Sequence, residues 1–257
     1  MYIPKIIFST WKSKTDLGNF TECVNSVKNK NKDFKYIIYD DYDCDLFVKN
    51  YYPQYYKYYK KLELPVQKAD LWRYLIVYHY GGWYCDMDIY SYSSFNTIDI
   101  PGKYEEELMI VEQEFPAPLK YRDIQYAQYW FAATPKHPVI FNIIEMVIYN
   151  IKSEKYSKDL GDEYTLYLTG PVPFTDEILE NKKENVYIID SNIWDTLSQP
   201  LYNISSFFSD YKNIPVVHRC EGSWRITNYN YNMNIFIIIF IVIFFIFYCL
   251  YNFFIKK

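Results

Sequence analysis

Cysteine is scarce and unpatterned in this sequence. Cys23, Cys44, Cys85, Cys220 and Cys249 are odd in number and contain no C-x-x-C pair. That excludes a zinc-finger-type site and a dense disulfide framework. It leaves the redox compartment unread. A basic excess is missing too. The formal net charge is −4, so the chain has no general electrostatic attraction for nucleic acid. Glycine, alanine and proline are sparse, while tyrosine, isoleucine, asparagine, lysine and phenylalanine are heavily used. This is the bias of an AT-rich coding sequence. The tyrosine-rich run from Tyr51 to Tyr59 therefore reads as helix surface and packing, not as a carbohydrate platform. Asn19-Phe20-Thr21 and Asn203-Ile204-Ser205 fit the glycosylation sequon, but chance supplies such triplets in an asparagine-rich chain. No internal repeat is visible, and the polar stretch 227–234 is the nearest thing to a linker.

What is present is enough for one sizeable domain and something small: 257 residues, 50% of them hydrophobic. The start reads as no signal peptide, because Pro4 and Lys5 interrupt Met1 to Phe8 before any long apolar run. The other end differs. Every residue from Ile235 to Tyr251 is apolar or aromatic, and Phe253 to Ile255 extend the run. A helix rising about 1.5 Å per residue crosses the hydrocarbon core in roughly 20 residues. Lys256 and Lys257 are placed to snorkel into headgroups. The expected organisation is a domain over residues 1–230 and a single-pass C-terminal anchor over 231–257, with its transmembrane helix at about 235–254. A tail anchor predicts a cytosolic domain, with an endomembrane lumen as the alternative.

Residues 1 to about 230 alternate short β-rich runs with helical patterns, which predicts an α/β fold. Strands are expected at 5–8, 36–39, 83–85, 108–111, 130–133, 186–189 and 215–218. Helices are expected at 19–30, 64–80 and 138–152. The second of these has Pro65 in its first turn and Gly81-Gly82 at its end.

The chemistry concentrates where the 64–80 helix runs into the next strand. Asp86-Met87-Asp88 puts two carboxylates two residues apart at a strand exit, where a tight turn can bring them together. Hard oxygen ligands of that kind suit Mn²⁺ or Mg²⁺, which in turn neutralises a diphosphate. A bare D-x-D is also a common solvated turn. Asp70 and Arg73 stand three apart on the helix, hence on one face, in a stripe with Val66 and Val77. They form either a structural ion pair or part of a site.

The run Ala69-Asp70-Leu71-Trp72-Arg73-Tyr74, then Tyr78-His79-Tyr80-Gly81-Gly82-Trp83-Tyr84-Cys85-Asp86-Met87-Asp88, resembles the signature of family 32 glycosyltransferases. Three further blocks follow the same order. Ile3-Pro4-Lys5-Ile6-Ile7 with Trp11 resembles the family's opening strand. Thr169-Gly170-Pro171 resembles its T-G-P turn. His218 followed by Ser223-Trp224 is similar to its closing element. Two positions depart from the pattern: Phe8 stands where a histidine is usual, and His218-Arg219-Cys220 replaces H-H-W.

The resemblance implies a GT-A fold, α/β with a mostly parallel sheet and a metal site at the sheet's C-terminal edge. It implies that Asp86, Asp88 and His218 hold Mn²⁺ (or Mg²⁺), with a core histidine as the other reading of His218. Asp88, Asp86 and Arg73 are the implied catalytic residues. The implied donor-binding residues are Trp11, against the nucleotide base, Asp70 and Arg73, on sugar hydroxyls, Tyr84, lining the pocket, and Trp224, beside the diphosphate. The expected reaction is retaining transfer of a hexose, with mannose favoured, from GDP-mannose or a UDP-hexose to a glycan, lipid or protein hydroxyl at a membrane. No second carboxylate is evident as a nucleophile, so a front-side displacement is expected. The alternative is a catalytically degenerate, membrane-attached nucleotide-sugar or glycan-binding protein. A phosphohydrolase would need further acidic ligands in register, and a polysaccharide hydrolase would need carboxylates across the sugar.

Overall fold

The computed structural model describes residues 2–98, 108–114, 123–181, 185–189 and 216–219. Five strands and one reversed strand form the central sheet. β1 (Ile6–Thr10), β2 (Lys35–Tyr39), β3 (Gly82–Cys85), β5 (Met109–Glu114), β6 (Gln125–Ala133) and β7 (Val186–Ile189) stand in the order β2-β1-β3-β6-β5-β7. β1 pairs parallel with β2 and β3, and β5 pairs parallel with β7. β6 alone is antiparallel, to β3 on one side and β5 on the other. The sheet is therefore mostly parallel, as expected, and the chain-terminal ends of its parallel strands share one edge. A second, two-stranded sheet pairs β4 (Ile89–Ser91) with β8 (Val216–His218).

Strand periodicity splits the core into two. Phe8 enters a large cluster with Leu71, Trp72, Ile140, Ile144 and Phe174. Its neighbour Ile7 enters the other, with Trp83, Trp130, Ile189 and Val216. The first lies under α4 (Pro65–Tyr80), α5 (Pro138–Ser153) and α7 (Pro171–Glu180), and the second lies under β4 and β8.

Helix α4 is central. Pro65 occupies its first turn, and the Gln67 side chain accepts from the Leu64 amide at 3.3 Å. Nine of its residues are buried, including the charged Asp70 and Arg73. It ends at Gly81, whose φ of +67° and close neighbours admit no side chain: a Cβ would lie 2.6 Å from Pro135 Cδ and 2.8 Å from Pro4 Cδ. Gly81 thus turns the chain straight into β3.

The helices and strands expected from the sequence form, with ends shifted by a few residues. The tyrosine-rich run read as helix surface forms α3 (Pro53–Lys61), while the sequence patterns left α2 (Asp41–Tyr51), α6 (Asp162–Leu168), α7 and β4 without an assignment. α1 (Thr21–Lys30) is preceded by a 3-10 turn at Gly18–Phe20, so the helix expected from residue 19 starts late. Asp40 makes a capping box with Asp43, its carboxylate accepting from the Asp43 amide at 2.9 Å. Among the described residues, no helix is long and apolar enough to cross a membrane. The apolar run 235–254, and Trp224, lie outside the described residues.

Candidate active site

β3 ends at Cys85, and the Asp86 amide donates to the Tyr129 carbonyl at 2.8 Å, continuing the β3–β6 ladder by one bond. The chain then turns: the Ile89 amide donates back to the Asp86 carbonyl at 3.3 Å. Met87 is the pin of that turn. It is 5% exposed and packs with Phe20 and Val24, against which Trp11 and Leu17 also lie. With the middle residue driven into the core, the flanking carboxylates are left at the sheet edge.

β4 then carries Ile89 opposite His218 on β8. His218 Nε2 lies 3.3 Å from Asp88 Oδ2. One ligand atom each from Asp86, Asp88 and His218 falls within 4.8 Å of the others. The His218 ring stacks on Tyr129 with centroids 4.0 Å apart and planes inclined by 20°. Two carboxylates and an imidazole suit a divalent ion of the Mn²⁺ type, the nitrogen donor being less to the taste of Mg²⁺. Asp86 also titrates above the ordinary carboxylate range. Burial is the main cause, Arg73 opposes it, and the neighbouring Asp88 adds to it. A cation between the two carboxylates would relieve that repulsion.

Arg73 and Asp70 form the floor beside this group. Arg73 lies 3.0 Å from Asp70 Oδ1 and 3.5 Å from Asp86 Oδ1. It also donates to the Gln128 carbonyl at 3.1 Å, and its guanidinium lies over the Tyr84 ring, 4.5 Å from the centroid. Burial opposes its charge, but Asp86, Tyr84 and Asp70 together hold its pKa above the ordinary arginine value. Asp70 is pushed up to about 6 by burial, against the pull of Arg73 and a hydrogen bond from Thr169.

The site residues expected from the sequence are placed as follows. Asp86, Asp88 and His218 come together. Asp70 and Arg73 adjoin them. The Tyr84 ring is buried, and its hydroxyl donates to Asp86 Oδ1 at 2.5 Å. Trp11 meets Phe20 edge-to-face at 4.7 Å, in the cluster that holds Met87. Residues that the sequence did not single out are Gln128, Tyr129 and Met87. Thr169 was recognised only as part of a turn. Its hydroxyl donates to Asp70 Oδ2 at 2.8 Å, and the Tyr74 hydroxyl donates to the Thr169 carbonyl at 3.1 Å and lies against the Gln128 side-chain oxygen. Gln128 and Tyr129 carry no local signal, since their place follows from the register of β6 on β3.

The sequence model for a glycosyltransferase sugar-binding region containing a DXD motif matches residues 18–106. This segment resembles a DXD sugar-binding region. It holds Asp70, Arg73, Tyr84, Asp86 and Asp88, while Trp11, Thr169 and His218 lie outside it. Inositol phosphoceramide mannosyltransferase 1 of Schizosaccharomyces pombe is 30% identical over 145 residues, covering 55% of this chain and 42% of that protein. The initiation-specific α-1,6-mannosyltransferase of Candida albicans is 27% identical over 236 residues, covering 77% of this chain and 61% of that protein. The chain thus spans about half the length of the curated relatives it matches. Among solved structures, the PaToxG glycosyltransferase superposes with a TM-score of 0.52 at 19% identity, covering 69% of each chain. The fold around the DXD region is therefore shared with a glycosyltransferase, in line with the expected GT-A architecture.

Proposed function

We propose that the chain is a metal-dependent glycosyltransferase. In this reading it moves a hexose, mannose favoured, from a nucleoside-diphosphate sugar (GDP-mannose or a UDP-hexose) to a hydroxyl of a glycan, lipid or protein acceptor, with retention. The observation that carries the proposal is the convergence of Asp86, Asp88 and His218 within 4.8 Å, beside the buried Asp70–Arg73 pair in the DXD region. The mannosyltransferase names of its relatives favour the sugar.

Asp86, Asp88 and His218 would hold Mn²⁺ or Mg²⁺. When bound, the ion supplies positive charge for the leaving diphosphate. The residues have separate tasks. Arg73 presents a permanent charge at the floor, available to oxygen atoms on which negative charge develops. Asp70, ionised above about pH 6, accepts from sugar hydroxyls. Tyr84 holds Asp86 in orientation. Trp11 offers a flat apolar face to the base. No carboxylate is assigned as a covalent nucleophile, so the reaction is front-side. A trapped glycosyl-enzyme adduct in the mass spectrum would overturn that part. The apolar run 235–254 would anchor the domain to a membrane and favour acceptors on that surface.

The test is turnover of a panel of UDP- and GDP-sugars with Mn²⁺, Mg²⁺ or chelator, beside Asp88→Ala. Nucleotide release from one donor, abolished by chelator and by the substitution, is the expected result. A folded protein that binds donor without turning it over would instead be the degenerate binding module. Absence of both binding and turnover defeats the proposal.

A further inference from the structure

The described backbone pairing that places His218 is short. His218 ends a three-residue strand, β8, paired with the three-residue strand β4, and a short isolated two-stranded ladder is marginal by itself. The next residue supplies what the ladder lacks. The Arg219 amide donates to the Asp88 carbonyl at 3.0 Å, adding a rung that joins the two ligand-bearing segments directly. The Arg219 guanidinium donates to Glu22 on α1 at 2.9 Å and lies 5.2 Å from the Tyr90 ring centroid. α1 also carries Val24, which packs on Met87 with Phe20 just before the helix. Its neighbour Ser26 accepts the Ser91 amide of β4 at 2.8 Å. One helix therefore touches the D-x-D turn, β4 and the end of β8.

We infer that Arg219 is a positioning residue that clips the His218 strand to α1 through Glu22, so that α1 clamps all three members of the Asp86–Asp88–His218 group. The inference rests on the metal-site reading above. In this role Arg219 acts through the backbone of its neighbours.

The test uses the full chain and Mn²⁺ alone, followed by electron paramagnetic resonance. Arg219→Ala should weaken Mn²⁺ roughly tenfold, as losses behind a ligand do. Glu22→Gln, a change on the surface, should weaken it about threefold. The charge swap Glu22→Arg with Arg219→Glu should recover part of the loss, which a general folding defect would not. A second readout needs no metal. The stacked Tyr129 ring should displace the His218 ring protons upfield, and this displacement should shrink in Arg219→Ala and Glu22→Gln. Unchanged Mn²⁺ affinity with unchanged His218 resonances overturns the inference. Failure of the unsubstituted chain to bind Mn²⁺ would defeat the metal reading instead, and the His218 resonances would still decide whether Arg219 places that ring.

Discussion

Arg73, buried on helix α4, reaches Asp86 at the end of β3 with 3.5 Å between guanidinium nitrogen and carboxylate oxygen. The pair joins helix α4 to the D-x-D turn. Arg73→Gln leaves two carboxylates, Asp70 and Asp86, without their buried counter-charge. The fold should lose about 3 kcal/mol and turnover should drop roughly 10²- to 10³-fold. Arg73→Lys should recover little of either, since one ammonium cannot reach Asp70, Asp86 and the Gln128 carbonyl together. Urea unfolding beside a nucleotide-release assay checks both numbers.

Tyr84 offers a gentler perturbation. Its ring is buried, and only the hydroxyl meets Asp86. Tyr84→Phe should keep the melting temperature within a few degrees and weaken Mn²⁺ about tenfold, the ligand having lost the group that orients it. A Mn²⁺ titration that matches the unsubstituted protein would remove Tyr84 from the site's support.

Asp70 sets a pH dependence. Its carboxyl titrates at about 6 in the folded chain against roughly 4 when unfolded. The folded state therefore binds this proton more tightly, and stability contributed by the group falls as pH rises from about 4 through about 6. Activity runs the other way: donor kcat/KM should decline below about pH 6, as Asp70 takes up its proton. Asp70→Asn should flatten the Asp70 part of the stability slope while cutting turnover at neutral pH. Urea midpoints between pH 4 and pH 7 for both proteins measure the first effect.

Gly170 tests the turn behind Asp70. A Cβ there would stand 2.9 Å from Leu166 Cα and 3.0 Å from its carbonyl oxygen. Gly170→Ala must push the turn off α6, at a cost of about 2 kcal/mol, and carry the Thr169 hydroxyl away from Asp70. Donor affinity should fall together with the melting temperature. A variant as stable as the original would show that the turn relaxes freely.

Much of this arrangement was legible as a string. Helix α4 announced itself by Pro65 and Gly81-Gly82, and the strand after it by Trp83 to Cys85. α2 and α7 were not read. α2 begins at an aspartate pair that also reads as a loop, until Asp40 and Asp43 are seen capping each other. α7 starts at Pro171 just after a turn recognised by resemblance, with a second proline, Pro173, that suggests a loop. Both prolines fall in the first turn, where a missing amide hydrogen costs nothing.

The sequence by itself determined the part of the site that depends on nearest neighbours. Asp70 and Arg73 share a face because a helix repeats every 3.6 residues. Asp86 and Asp88 flank one buried methionine because a tight turn spans that distance. Helix and strand follow each other through a glycine pair, so these four charges are bound to lie close. Tertiary structure decided the rest. It brought His218 to Asp88, set Tyr129 behind the imidazole, and laid Thr169 on Asp70. None of these contacts follows from local spacing. Each depends on strand register and helix packing between distant segments, which are settled only when both faces of the sheet are buried at once.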